Sequence, residues 1–203
     1  VTVALIDAGG ANLGSVRYAL ARLGVEPRIV RDADALGDPE RIILPGVGAA
    51  APAMTLLRER GLDRAIVASA APLLGICLGM QLLFASSAEG DVECLGLLPG
   101  RVEKMTSSNG IRIPHMGWNR LETQPRTDGK SWRLLDGIET GAYAYFVHSY
   151  AVPIGDCTAA ATTHGADFSA AIESGRLYGM QFHPERSSEI GLRMLANFLK
   201  API

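Results

Sequence analysis

Four short apolar runs constrain this chain before anything else does. VTVALI (1–6), PRIV (27–30), RIILP (41–45) and PLLGIC (72–77) are continuous rather than alternating, and each is bounded by turn residues. A strand that is apolar on both sides has to be covered on both faces, as in a parallel sheet sandwiched by helices. The intervening segments have the matching period. Val16, Ala19, Leu20 and Leu23 stand at i, i+3, i+4 and i+7 and stop at Gly24, which gives an amphipathic helix with a glycine terminator. Strands alternating with helices in this way predict a doubly wound α/β first half.

The second half has a different pattern. RVEKM (101–105), YAYFVHSYAV (143–152), TAAATT (158–163) and the pair SAAI and LYGMQF around the turn ESGR read as mixed or antiparallel strands with hairpins. A last helix is expected from about Ser187, with Ile190, Met194, Leu195, Phe198 and Leu199 on one face. Segments 86–100 and 122–131 read as polar loops rich in Gly and Pro. No repeat, low-complexity tract or linker divides the 203 residues, so a single domain over 1–203 is expected.

A formal net charge of -2, with 48% hydrophobic and 20% charged residues, excludes a strong general attraction to nucleic acid or to an acidic membrane surface. No apolar run approaches the roughly 18 residues that cross a bilayer, and the opening VTVALID has no basic segment of a secretory leader. The expectation is a cytoplasmic protein. Its three cysteines, Cys77, Cys94 and Cys157, fit neither a disulfide framework nor a CxxC site, which leaves reactivity as a reason for one of them.

Cys77 is that one. In LLGICLGMQLLF (73–84) a strand gives way to a helix within a residue or two, which places the thiol at the carboxyl edge of the sheet, where open α/β folds bind ligands. A helix amino terminus favours thiolate, and glycines on either side allow a tight turn. G-x-C-x-G parallels the G-x-S-x-G nucleophile elbow, in which the N–H after the nucleophile, here that of Leu78, faces an oxyanion. Taken alone, Cys77 can equally be a buried structural thiol.

A thiol nucleophile needs a base, and the base needs a group that orients it. GMQFHPERS (179–187) offers His183 and Glu185, one residue apart, so that at an extended chain end both project to one side; Pro184 between them fixes φ and removes a competing N–H. Singly, each has an ordinary reading as a satisfied polar residue; in the order Cys, His, Glu they form a candidate triad. ILPGVGAA (43–50) adds a glycine loop after another strand, able to present main-chain N–H groups from Val47 or Gly48. DAGGANLGS (7–15) lacks both the P-loop ending and the G-x-G-x-x-G order, so nucleotide binding there is rejected. His115 and His148 are further candidate bases or ligands. Neither has a partner at metal spacing, and no metal or other cofactor is expected; His148, in a strand, reads better as a core or pocket-wall residue.

With these residues in view, the chain resembles the class I (triad) glutamine amidotransferases over nearly its whole length. The resemblance rests on PGVG, GICLGMQLLF and QFHPERS. It implies a flavodoxin-like three-layer α/β fold, with a mainly parallel central sheet and additional antiparallel strands in the C-terminal half. Within that family IDxxxxNLxSV near the start, PHMGWN (114–119) and YFVHSY (145–150) look like the branch formed by the glutaminase subunits of imidazole glycerol phosphate synthase, in histidine biosynthesis.

By that resemblance Cys77 attacks the glutamine side-chain amide, His183 moves the proton and Glu185 orients His183. The N–H of Leu78 and one from Val47 or Gly48 hold the oxyanion, and Gln81, Glu89, Ser149 and Tyr150 hold the amino-acid end. The ammonia passes to a (β/α)8-barrel cyclase partner in a heterodimer, which makes imidazole glycerol phosphate and AICAR. Asn12, Trp118, Asn119, Tyr145 and Arg186 fall in or beside the motifs that face this partner in the family. Ala8 and Ala11 depart from the tyrosine and glycine usual there, which bears on how the loop is held and not on the triad.

Two other readings of the same residues are a glutaminase serving another synthase, such as that of pyridoxal phosphate, and a cysteine hydrolase or peptidase of similar architecture. PHMGWN argues against the first and Gln81 against the second. A catalytically silent binding protein is disfavoured by the presence of all three triad members.

Overall fold

A computed structural model describes residues 1–9, 13–107 and 110–202. In chain order the elements are β1 (Val3–Ile6), α1 (Leu13–Arg22), β2 (Arg28–Val30), α2 (Ala33–Leu36), β3 (Arg41–Gly46), α3 (Ala50–Glu59), α4 (Leu62–Ala68), β4 (Leu73–Cys77), α5 (Leu78–Gln81), β5 (Phe84–Ser87), β6 (Val92–Glu93) and β7 (Leu98–Lys104). They continue with β8 (His115–Thr123), β9 (Ala142–His148), β10 (Tyr150–Ala151), β11 (Thr158–His164), β12 (Ala166–Ser174), β13 (Leu177–Met180), a 3-10 turn (Pro184–Arg186) and α6 (Ser188–Leu199).

Among the described residues nine strands form one sheet in the order β2-β1-β3-β4-β13-β12-β11-β8-β9. The pairings from β2 to β13 are parallel and those from β13 to β9 antiparallel, which is the division of character expected between the two halves. The four continuous apolar runs are four of the five parallel strands, β13 being the fifth, and their side chains divide between two cores. Val3, Leu5, Ile43, Leu74 and Ile76 face α1 and α6 on one side; Ala4, Ile6, Ile42, Leu44 and Leu73 face α3 and α4 on the other. Strict alternation of direction along a strand produces this three-layer arrangement.

Three expectations need correction. Segment 86–100 is not simply loop: β5, β6 and the start of β7 lie there, and with β10 they form a second, four-stranded sheet over α3 and α5. Segment 122–131 begins inside β8, whose exposed outward residues, Met116, Trp118 and Arg120, hide its strand character. YAYFVHSYAV is not one strand either. It breaks at Ser149, so that β9 closes the large sheet while β10 pairs with β7 in the small one.

The close approach of α5 to the sheet positions everything that follows. A Cβ on Gly79 would stand 1.7 Å from the Leu44 carbonyl oxygen, and one on Gly75 would stand 2.5 Å from the Gly79 carbonyl oxygen. Only glycine fits, because backbone meets backbone. Gly79→Ala is therefore expected to lower unfolding free energy by more than about 3 kcal/mol. Gly155→Ala, where a Cβ meets nothing within 4 Å, should stay within about 0.5 kcal/mol. Denaturant unfolding of the two variants checks this, and equal stability would refute the backbone contact.

Candidate active site

Cys77 ends β4 and caps α5 with φ 53° and ψ -111°, a positive φ on a non-glycine residue. Such a conformation costs on the order of 1–3 kcal/mol and persists where the surroundings over-determine it. Here it turns the sulfur out of the sheet into a cavity of about 440 Å³. The helix behind it is only Leu78–Gln81, so a long helix dipole does not act on the thiol; hydrogen-bonding groups at short range do. Val147 offers its carbonyl oxygen at 4.0 Å from Sγ, and Gln181 points Nε2 at Sγ from 3.8 Å.

His183 follows β13, which lies beside β4 in the sheet. It is not an extended end that brings His183 and Glu185 together, as the sequence suggests, but the 3-10 turn Pro184–Arg186. Edge strand β9 holds that turn. His183 N–H donates to the Tyr145 carbonyl (3.0 Å), Tyr145 N–H donates to Ser187 Oγ (3.0 Å), and Ser187 Oγ donates to the His183 carbonyl (2.7 Å). The Glu185 side chain is only 3% exposed, and its Oε1 lies 2.9 Å from His183 Nδ1. That pairing puts the proton on Nδ1 and leaves Nε2 for the sulfur. Burial alone depresses the basicity of His183. Its hydrogen bonds to Cys77 and Glu185, with their charges, overcome burial and raise it to about 10.

Val47, Gly48, Leu78, Gln81, Glu89, Ser149 and Arg186 also line the cavity, as do Val147 and His148. Gly48 takes φ 96°. Glu89 Oε2 accepts from the N–H of Ala50 at the start of α3 (2.9 Å), and burial raises its pKa against that hydrogen bond. Tyr150 is not among the lining residues. Its carbonyl accepts from both Gln81 Nε2 and His148 Nδ1, each at 2.9 Å, so it enters through its backbone. His148 and His115 form a buried pair, with His148 Nε2 3.0 Å from His115 Nδ1. Burial chiefly, then neighbouring histidines, lower His148 to about 4 and His115 to about 3. Among the described residues no group of three or more His, Cys, Asp or Glu side chains is placed to hold a metal.

Of the remaining residues singled out from sequence, Trp118 and Tyr145 lie on the outer face of β8 and β9, beside Arg186. Trp118 is 53% exposed and meets Tyr145 edge to face at 5.9 Å; the Arg186 guanidinium covers the Tyr145 ring at 4.2 Å. Asn119 turns inward, with Nδ2 2.9 Å from the Thr163 carbonyl and 3.3 Å from His115 Nε2. Asn12 and Ala11 lie outside the described residues. Sequence reasoning misses Gln181. Its spacing of two from His183 at a strand end, which puts both on one side, is the signal that finds it. Of the other two thiols, burial raises Cys94 to about 11 and raises Cys157 as well.

These features define a cysteine-centred site at the carboxyl edge of a doubly wound sheet, and comparison with known proteins gives it a family. Residues 4–201 match the family model "Glutamine amidotransferase class-I". The chain belongs to that family and is a glutamine-hydrolysing enzyme. It is 59% identical over 198 residues to the imidazole glycerol phosphate synthase subunit HisH of Xanthomonas campestris pv. campestris (strain 8004), covering 98% of this chain and 96% of that protein. It is 58% identical, with the same coverage, to the protein of that name from Xylella fastidiosa (strain Temecula1 / ATCC 700964). A solved glutamine amidotransferase superposes with a TM-score of 0.75 at 21% identity, covering 98% of both chains. A putative GMP synthase component from Thermoplasma acidophilum gives 0.71 at 21%, covering 98% of this chain and 92% of that one, so the fold is shared.

The raised pKa of His183 has a definite sign in solution. Its stabilising contribution is complete below about 6.5, the ordinary histidine value, and is lost as pH rises through about 10. Glu185→Gln removes one of the groups that raise it. An NMR titration of the His183 ring should therefore find a lower pKa in the variant and the loss of stability displaced to lower pH; an unchanged titration would show that Glu185 does not hold the proton.

Proposed function

We propose that the chain is the glutaminase subunit of an imidazole glycerol phosphate synthase, and that Cys77, His183 and Glu185 are its catalytic triad. What carries the reading is the juxtaposition at one sheet edge: a strained cysteine, a histidine in hydrogen-bond contact with it, and a buried carboxylate 2.9 Å from the far ring nitrogen. The relatives that bear the synthase name, at about 59% identity over almost the whole chain, support the particular assignment.

The chemistry follows from those contacts. His183 takes the thiol proton, and Sγ attacks the side-chain amide carbon of glutamine. The N–H of Leu78, with one from Val47 or Gly48, meets the developing oxyanion. His183 then gives its proton to the departing nitrogen, ammonia leaves, and water cleaves the thioester to release glutamate. Glu89, its carboxylate made costly by burial, gains a counter-ion when the ammonium of glutamine enters; Gln81 and the 149–150 segment complete that end of the cavity.

The ammonia acceptor is a (β/α)8-barrel cyclase, bound as a heterodimer in the cytoplasm. Met116, Trp118 and Tyr143 are large apolar residues left exposed on the outward face of β8 and β9. That face runs through Tyr145 to Val147 and Arg186 on the cavity wall. An aromatic patch continuous with the mouth of a site suits a partner that receives its product.

Glutamate release should fall by at least about 10³-fold in Cys77→Ala. In the wild type it should differ between the chain alone, the chain with cyclase, and the chain with cyclase and its ligand. Trp118→Ala should weaken the heterodimer by about 30-fold, as for a central aromatic anchor, in a titration calorimetry measurement. Undiminished hydrolysis in Cys77→Ala would overturn the nucleophile, and undiminished cyclase affinity in Trp118→Ala would overturn the interface.

A further inference from the structure

Gln181 is completely buried, in a place where an amide must find partners for both ends. Those partners can be assigned by elimination. The Tyr150 carbonyl oxygen only accepts, so the Gln81 atom 2.9 Å from it is the amide nitrogen. The same nitrogen lies 3.0 Å from the Gln181 side chain, which must present its oxygen there. The remaining end of Gln181, its Nε2, is therefore a donor, and it points at Cys77 Sγ from 3.8 Å. His148 Nδ1, which also donates to the Tyr150 carbonyl, leaves that oxygen no freedom to reverse the chain.

The opposite neighbour of the sulfur sets the contrast. Val147 presents a carbonyl oxygen, which a thiol can donate to but which repels a thiolate. Gln181 does the reverse, since its N–H strengthens as the sulfur becomes negative. We propose that Gln181 is a further catalytic residue, a fixed hydrogen-bond donor to the Cys77 thiolate, and that Gln81 acts through it as a positioning residue by locking its amide. This rests on Cys77 being the nucleophile. One amide chain then ties the backbone at the substrate end of the cavity to the reacting atom. A shift of the Tyr150 carbonyl alters the sulfur without any contact between them.

The test reads the sulfur directly. Iodoacetamide alkylation of Cys77 in the full chain is followed by peptide mass spectrometry across pH, with Cys94 and Cys157 as internal references. Gln181→Met keeps the volume and removes the donor. Its alkylation rate at neutral pH should fall by between about threefold and about tenfold, with the half-maximal pH moved upward and the high-pH plateau retained. Loss confined to the plateau, or a profile superimposable on the wild type, overturns the proposal, since a purely structural role leaves the inflection where it was. Should Gln181→Met not fold, Gln81→Met decides: it leaves Gln181 in place, frees its amide to turn, and should shift the inflection in the same direction, an unchanged inflection again overturning the proposal. Wild-type chain that releases no glutamate even with the cyclase and its ligand, while the inflection still shifts, would refute the triad and leave the donor standing.

Discussion

The contact between the backbone of α5 and that of β3 governs the site. Because Gly79 lies directly against Leu44, the chain leaving β4 has no room for a gradual turn, and the whole change of direction falls on Cys77. Such strain needs a rigid frame on both sides. Leu74 and Ile76 before the turn are locked in the core beneath α1 and α6, while Leu78 and Met80 after it are locked in the core beneath α3. The elbow is thus clamped between two separately packed layers, and the strain cannot relax without disturbing both.

The second half of the site is held at a different place. His183 reaches the sulfur because two hydrogen bonds fasten the 183–187 turn to Tyr145 on the edge strand β9, and a third, from Ser187 Oγ to the His183 carbonyl, closes the turn on itself. An edge strand would otherwise expose unpaired main-chain groups; here those groups become the attachment for the imidazole. Tyr145 also carries the Arg186 guanidinium on its ring and Trp118 against its edge. A partner that presses on this aromatic cluster therefore presses on the residue that anchors His183, and the path between the outer face and the proposed triad is one residue long.

The parallel half of the fold and the cysteine elbow are legible in the sequence because each obeys a local rule: continuous apolar runs, helical spacing, glycines around a thiol. The second sheet is not legible. Its strands are short and half-polar, since β5, β6 and β7 have one face on the core and the other in solvent, and Pro99 and Gly100 interrupt the start of β7. The break at Ser149 is hidden for another reason. Nothing in YFVHSYAV shows that its two ends belong to different sheets; that follows from pairing with β8 on one side and β7 on the other. His183 and Glu185 meet despite the mistaken geometry, because a 3-10 turn and an extended end both bring residues two apart within reach of each other. Gln181 escapes notice because a glutamine between a methionine and a phenylalanine looks like any polar residue at a strand end until the sulfur is seen beside it.

The three buried histidines around this cavity show how partners, and not burial, decide protonation. His115, His148 and His183 are all nearly inaccessible, and removal from water lowers the basicity of each. His115 and His148 have each other, an amide and a backbone carbonyl for partners; the hydrogen bond to the Tyr150 carbonyl raises His148 but does not offset burial, so both stay neutral, His148 in the cavity wall and His115 hydrogen-bonded behind it. His183 alone has an adjacent carboxylate and a sulfur that can carry charge. The result is a cavity lined by two imidazoles of which only His183 is basic, so that in the proposed chemistry a proton leaving Cys77 has one destination. Were His148 as basic as His183, a cation in the wall would compete for the thiolate and hold it away from the substrate carbonyl. The low basicity of the wall is thus as necessary to the proposed chemistry as the high basicity of His183.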